Sequence, residues 1–402
     1  VKKSSTTSRL KLIDDFINHR VDKIIDKKSL IAKLKSGKKL IVKHGVDPTT
    51  SDLHIGYAVV YHKLRALQDL GHTVIFLIGG FTARFGDPTD RQVSRELKDS
   101  KAVEKVAKNY VTQALKILDP QKTEIRYNSE WYDKMSAADL LNLISKFTHA
   151  QMLERDMFQK RIKQKQEIGL HEPIYPVLQG YDSVMLKSDI TIIGTDQLFN
   201  EMRGRDLQKD FGQAPQDIVT VPLLVGLDGK NKMSQSLGND ILITESADNQ
   251  FGKVMSLPDN LIMHYWELAT NEPQEKIAEM AKLLKQKSTN PKDVKEELAK
   301  TIVSIYHGKA AAERSADRFK TIFKDKSLPK NIPTIKLKPQ NMGIVDFLLA
   351  ANLVESKSEA RRMLMQRAVR VNQQLVQDPH WQMPIAPGVV VQVGKRRFIK
   401  VE

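Results

Sequence analysis

The chain has 402 residues, 41% hydrophobic and 28% charged, enough for two or three domains with substantial cores. Cysteine is absent, which excludes disulfides, a cysteine-based zinc site and thiol catalysis. With 64 Lys+Arg against 48 Asp+Glu the net charge is +16, and nucleic acid is the first partner to consider, although a lysine-rich proteome gives the same balance.

No apolar run approaches the roughly 18 residues of a membrane span. The opening Val1-Lys2-Lys3-Ser4-Ser5 is basic and polar, unlike a secretory signal. A cytoplasmic protein that makes no membrane contact is therefore expected.

Residues 1–40 read as lysine-rich helix, with apolar stripes at Leu10, Ile13 and Phe16 and at Leu30, Ile31 and Leu34. Leu40-Ile41-Val42 then reads as a buried strand. Tyr57, Val60, Leu64, Leu67 and Leu70 recur at helical spacing, and Gly71 stops the pattern. The stretch between, Val46 to Tyr57, is thus a strand-to-helix turn with His54 and Gly56 at the helix start. Free N–H groups at a helix N-terminus suit phosphate, and glycine lets a flat ligand lie on the backbone. A turn with an exposed histidine fits the same residues equally well.

Thr73–Ile78, ending in Gly79-Gly80, reads as a second buried strand. Strand, helix, strand implies a parallel sheet, whose ligands sit beyond the carboxyl ends of its strands. The following segment carries Asp87, Asp90, Arg91 and Arg95. Four-residue spacing on a helix would place both guanidinium groups on one face, suited either to phosphate or to solvent. Residues 99–170 read as a charged, mostly helical insertion with one strand at Thr123–Tyr127.

Tyr175, Gln179 and Asp182 are spaced to share one helix face. Phenol, amide and carboxylate together are unusual in a core and suit a small zwitterion. A strand at Asp189–Ile193 ends in Gly194-Thr195-Asp196-Gln197, where an acid just past a strand end can meet ribose hydroxyls. A strand at Ile218–Gly226 leads into the polar loop Leu227–Asn239, which holds Lys230, Lys232, Ser234 and Ser236 and could close over phosphates. Helices follow at Ile262–Ala269, Gln274–Gln286 and Pro291–His307. Residues 326–341, with prolines among lysines, read as a linker. Residues 342–402 form a small basic unit of helices and strands, in which Arg361, Arg362, Arg367, Lys395 and Arg396 suit a nucleic-acid backbone.

Asp52-Leu53-His54-Ile55-Gly56-Tyr57 and Lys232-Met233-Ser234-Gln235-Ser236 resemble the two signatures of class I aminoacyl-tRNA synthetases. Gly45–Thr49, Tyr175–Asp182 and Gly194–Gln197 narrow the resemblance to the bacterial tyrosyl-tRNA synthetases, and residues 342–402 resemble the alpha-L RNA-binding domain. The tryptophan enzymes share the fold but normally lack this last unit.

The resemblance covers nearly the whole chain. It implies a Rossmann-like α/β catalytic domain with a parallel sheet and helical insertion (1–240), an α-helical domain (241–325), the linker, and the α+β RNA-binding domain. The implied function is ligation of L-tyrosine to tRNA(Tyr) by a homodimer. ATP with Mg²⁺ is the substrate complex, and no tightly bound cofactor is implied.

By position, Thr49, His54, Arg91, Arg95 and Lys232 would act on the phosphates. Asp47, His54, Gly56, Gly194, Asp196, Lys232 and Ser234 would line the ATP site. Asp87, Tyr175, Gln179, Asp182 and Gln197 would bind tyrosine, with Asp182 accepting its phenol hydrogen bond.

Four positions depart from the family pattern. Tyr57 replaces the final histidine of the first signature, Gln235 replaces the second lysine of the loop, and Ile193 replaces a glycine. Lys43 stands where one subgroup has a tyrosine that touches the substrate phenol. Two other readings stay open on the residues: an RNA-binding chain that makes no adenylate, and the same chemistry on tryptophan or a tyrosine analogue.

Overall fold

Six strands build the first sheet: β1 (Lys23–Ile25), β2 (Ile41–Val46), β3 (Thr73–Ile78), β4 (Thr123–Tyr127), β5 (Ile190–Gly194) and β6 (Asp217–Val221). The computed structural model describes residues 2–48, 52–87, 100–286, 288–324, 332–336, 340–394 and 397–402. The strand order is β1-β6-β5-β2-β3-β4, parallel throughout except for β1, which runs antiparallel on β6. Strand β3 is nearly continuous in apolar residues because a central parallel strand is covered on both faces. In register, Val42 lies opposite Val74 on one side and Ile190 on the other.

Strand β2 has β3 on one flank and β5 on the other. The chain therefore leaves the sheet in opposite directions at this point, and a crevice opens beyond the carboxyl ends of β2 and β5. The helix Gly56–Asp69 follows β2 with Val59, Val60, Leu64 and Leu67 buried, and Gly71 takes a positive φ of 96° just past its end, as the periodicity implies. On the other side of the crevice, helix Tyr175–Leu186 packs on helix Leu198–Asp210. A Cβ on Gly180 would lie 2.8 Å from the backbone nitrogen of Gly204, so these backbones approach closer than side chains would allow.

Three local readings change. The segment 1–40 is not all helix: β1 interrupts it between helices Lys2–Asn18 and Lys27–Lys35. Three residues are too few to show an alternation, and the pairing partner is β6, far along the chain. Strand β4 is a member of the sheet, so the helical excursion begins only at Ser129. Strand β6 ends at Val221, because Pro222 cannot donate to a ladder.

The chain divides into two compact units, one of Val1–Glu245 with Ser256–Leu298 and one of Ser246–Met255 with Ala299–Glu402. The stretch 241–325 is thus divided between them. In the second unit, β7 (Thr334–Ile335), β8 (Gln340–Gly343), β9 (Val369–Val371), β10 (Gln374–Val376), β11 (Gln382–Ile385), β12 (Val390–Val393) and β13 (Arg397–Val401) form a sheet β10-β9-β12-β13-β7 and a pair β11-β8. Helices Ile344–Ala350 and Lys357–Met365 bury Ile344, Phe347, Leu348 and Leu364 against Val369, Val391 and Val401. The segment read as a linker supplies β7, which pairs in parallel with β13 at Lys400 and Val401.

Candidate active site

Beyond the carboxyl ends of β2 and β5 lies a cavity of about 330 Å³. Asp47, His54, Gly56, Asp87, Tyr175, Gln179, Asp182, Gly194, Asp196, Gln197, Lys232 and Ser234 all line it. These residues come from five separated stretches of sequence, and the first signature-like segment pairs by backbone with residues just beyond the second. The Ile55 N–H donates to the Ile241 carbonyl at 2.9 Å, and the Ile243 N–H to that of Leu53 at 2.8 Å. Gln113 holds the same turn from the helix Ser100–Ala114, accepting from the Leu53 N–H at 2.7 Å.

Thr49, Arg91 and Arg95 lie outside the described residues, as do Lys395 and Arg396. Arg361, Arg362 and Arg367 lie in the second unit and are exposed. Arg361 and Arg362 sit on the helix Lys357–Met365, and Arg367 takes a φ of 57° just past its end.

Within the cavity the Tyr175 hydroxyl donates to Asp47 at 2.8 Å, and burial pushes its pKa up, so it stays a donor. The Thr82 hydroxyl donates to the other Asp47 oxygen at 2.8 Å. Asp182 is buried and accepts from the Trp131 indole at 3.1 Å and the Asn128 amide at 3.4 Å. Burial pushes its carboxyl up to about 7, against the opposing pull of the Lys43 charge and of these two hydrogen bonds. Asp87 accepts from Gln197 at 2.7 Å and faces Arg155 at 3.3 Å.

On the opposite wall Lys232 pairs with Asp196 at 2.9 Å. His54 is half-buried, and burial together with the Lys232 charge lowers it to about 4, so it is neutral at pH 7. A Cβ on Gly56 would meet the His54 ring at 2.8 Å, and one on Gly194 would meet the Asp196 carboxylate at 2.7 Å, so glycine at each position makes room for a side chain of the site. The Leu227–Asn239 loop, read as one that closes over phosphates, is held here by Asn239, which accepts from the Ser234 N–H at 2.8 Å and donates to Asp228 at 3.0 Å.

The four departures fall in different places. Tyr57 lines the cavity with its ring centroid 4.6 Å from that of His54. Ile193 also lines it and is buried. Gln235 does not reach it and donates to the Asp52 carbonyl at 2.5 Å. Lys43 is not a cavity residue either: it is buried behind the helix Tyr175–Leu186, where it pairs with Glu201.

Sequence reasoning missed Thr82, Asn128, Trp131, Asn200, Glu201 and Arg155. Asn128 had a usable signal, because it directly follows β4 and therefore stands at a strand's carboxyl end. The others show no pattern until the chain has folded.

A family model described as tRNA synthetases class I (W and Y) matches residues 35–324. A second, described as Tyrosine--tRNA ligase SYY-like C-terminal domain, matches residues 325–399 and so includes the segment read as a linker. The tyrosine–tRNA ligase of Carboxydothermus hydrogenoformans is 46% identical over 397 residues, covering 96% of this chain and 97% of its own. That of Thermotoga maritima is 43% identical over 385 residues, 96% of each chain. The solved C-terminally truncated mitochondrial tyrosyl-tRNA synthetase of Aspergillus nidulans matches with a TM-score of 0.66 over 80% of this chain and 100% of that one, at 20% identity, a likeness of fold alone. A class I sheet with both signature segments at one crevice, matched in sequence along nearly its whole length, places the chain in the tyrosine–tRNA ligase family of class I tRNA synthetases.

Proposed function

We propose that L-tyrosine and ATP meet in this cavity and that the chain joins tyrosine to its tRNA in two steps. A tyrosine carboxylate oxygen attacks the α-phosphorus. The new P–O bond forms as the bond to the bridging α–β oxygen breaks, and pyrophosphate leaves with that electron pair. The 3′-terminal ribose hydroxyl of tRNA(Tyr) then attacks the carbonyl carbon of the adenylate, loses its proton, and AMP leaves.

No side chain has to become a covalent nucleophile. The protein's work is alignment and neutralisation of charge that grows on the leaving pyrophosphate. Tyr175, Gln179, Asp87 and Gln197 hold the amino-acid end of tyrosine. Asp182, in the depth of the pocket, accepts the phenol hydrogen. Gly56 and Gly194 give adenosine a flat approach, Asp196 takes the ribose, and Asp47 and Ser234 complete the nucleotide wall. Thr49, His54, Arg91, Arg95 and Lys232 meet the phosphates. Mg²⁺ arrives on those phosphates as part of the substrate. Arg361, Arg362, Arg367, Lys395 and Arg396 contact the tRNA backbone. The enzyme works in the cytoplasm as a homodimer. No helix among the described residues is long and apolar enough to cross a membrane.

The observation that carries this reading is the convergence on one cavity of Asp47, His54, Tyr175, Asp182, Asp196 and Lys232. Pyrophosphate exchange into ATP, measured with a panel of amino acids, tests it. Exchange is expected with tyrosine, and exchange with another amino acid in its place overturns the specificity.

A further inference from the structure

Beneath the cavity floor Lys43 and Glu201 form an ion pair at 2.9 Å, with side chains only 1% and 2% exposed. The Lys43 ammonium also donates to the Ser183 hydroxyl at 2.7 Å and the Gln179 carbonyl at 3.4 Å. Glu201 accepts in addition from the side-chain amides of Gln179 and Gln216, each at 2.8 Å. A buried pair of this kind is costly to desolvate, and an apolar replacement of similar volume is often as stable or more so. Its use must then be sought in what it orients.

An ionised carboxylate can only accept hydrogen bonds, so Glu201 obliges Gln179 to present its NH₂ group. The Gln179 oxygen is left to accept from Asn200 at 2.8 Å. The same Asn200 nitrogen donates to the Gln197 oxygen at 3.0 Å, which turns the Gln197 NH₂ towards Asp87 at 2.7 Å. Three amides that could each flip are therefore fixed in direction by a carboxylate at either end. Gln179, Gln197 and Asp87 all line the cavity. Lys43 completes the device: its ammonium, 2.9 Å from Glu201, is the buried charge that compensates the carboxylate at that end of the relay, and removing it leaves the carboxylate uncompensated.

We propose that Lys43 and Glu201 are positioning residues for the amino-acid pocket, which set the orientation of Gln179, Asn200 and Gln197 without touching substrate. This rests on reading that end of the cavity as the tyrosine site.

The test is steady-state pyrophosphate exchange by the full chain and its variants, with tyrosine and ATP varied separately. Glu201→Gln keeps the shape but can donate, and should raise the tyrosine KM roughly tenfold or more while the ATP KM stays within about twofold. Lys43→Met should do the same, and Lys43→Arg should restore most of the loss. The double variant Lys43→Met with Glu201→Met removes both charges. It should melt at or above the wild-type temperature yet keep the raised tyrosine KM, which separates positioning from support of the fold. If Glu201→Gln or the double variant binds tyrosine within about twofold of wild type, or if both KM values rise together, the proposal is wrong. A wild-type chain that fails to exchange with tyrosine would instead remove the underlying site reading.

Discussion

Two ion pairs of the same length, 2.9 Å, border the two ends of the cavity and differ in almost everything else. Lys43–Glu201 is 1% and 2% exposed, whereas Lys232–Asp196 is 34% and 26% exposed. Breaking the first by removing one partner leaves an uncompensated buried charge, at a cost of about 3–5 kcal/mol. The second, half in water, contributes about 0–1 kcal/mol and can be exchanged for new partners. On the proposed reading, the amino-acid end is thus built in advance from the inside, while the nucleotide end holds a cation and a carboxylate that can part to meet phosphate and ribose. Specificity suits the first arrangement, because a rigid polar pocket penalises a ligand that leaves it unpaired. Catalysis suits the second, because the charge it must meet appears only as the reaction proceeds.

The largest effect is expected from removing the exchangeable cation. Lys232→Ala should lower the rate of adenylate formation by about 100- to 1000-fold while tyrosine affinity stays near wild type, as single-turnover kinetics with varied tyrosine would show. At the buried end, Asp182→Asn should cost tyrosine about 2 kcal/mol relative to phenylalanine, roughly thirtyfold in selectivity, measured as the ratio of kcat/KM values in exchange. Unchanged discrimination would remove Asp182 from the phenol contact.

The same residue predicts a pH dependence. Burial holds Asp182 up at about 7, and in its proposed role it is the ionised form that would accept the phenol hydrogen without returning one. Tyrosine should therefore bind more tightly as pH rises. Its 1/KM should climb by up to about tenfold per pH unit below 7 and flatten above, with no slope in Asp182→Asn. His54, lowered to about 4, titrates outside this window.

Away from the cavity, Arg361→Ala, Arg362→Ala and Arg367→Ala should leave pyrophosphate exchange intact and weaken tRNA binding. Each arginine that neutralises a phosphate should, on removal, reduce the slope of log affinity against log salt by about one. The smallest effect belongs to Gln235→Lys. The Gln235 side chain is spent on the Asp52 carbonyl outside the cavity, so the family's second loop lysine should change exchange by less than about threefold here.

How much of this was legible beforehand varied from residue to residue. The face formed by Tyr175, Gln179 and Asp182 could be read because helical spacing is a local property, and all three do line the cavity. Asp196 could be read because it follows a strand, and a parallel sheet sends its ligands to those ends, whereas Asp47 was named only through the family resemblance. Lys43 could not. Its neighbours in sequence assign it to a strand, but only the packing of the two helices through Gly180 and Gly204 brings Glu201 beneath it, 158 residues away. Trp131 and Asn128 meet Asp182 in the same manner, across 51 and 54 residues.

By itself, then, the sequence determined the parallel sheet and the stretches that flank its crevice, because periodicity, strand ends and turn residues act over a few neighbours, while the roles of the side chains in those stretches came from the family resemblance. Only the tertiary structure decided β1, the inclusion of β7 in the second sheet, and which buried charges stand behind the pocket. Those depend on contacts between segments far apart in the chain, and such contacts leave no repeat in either segment to announce them.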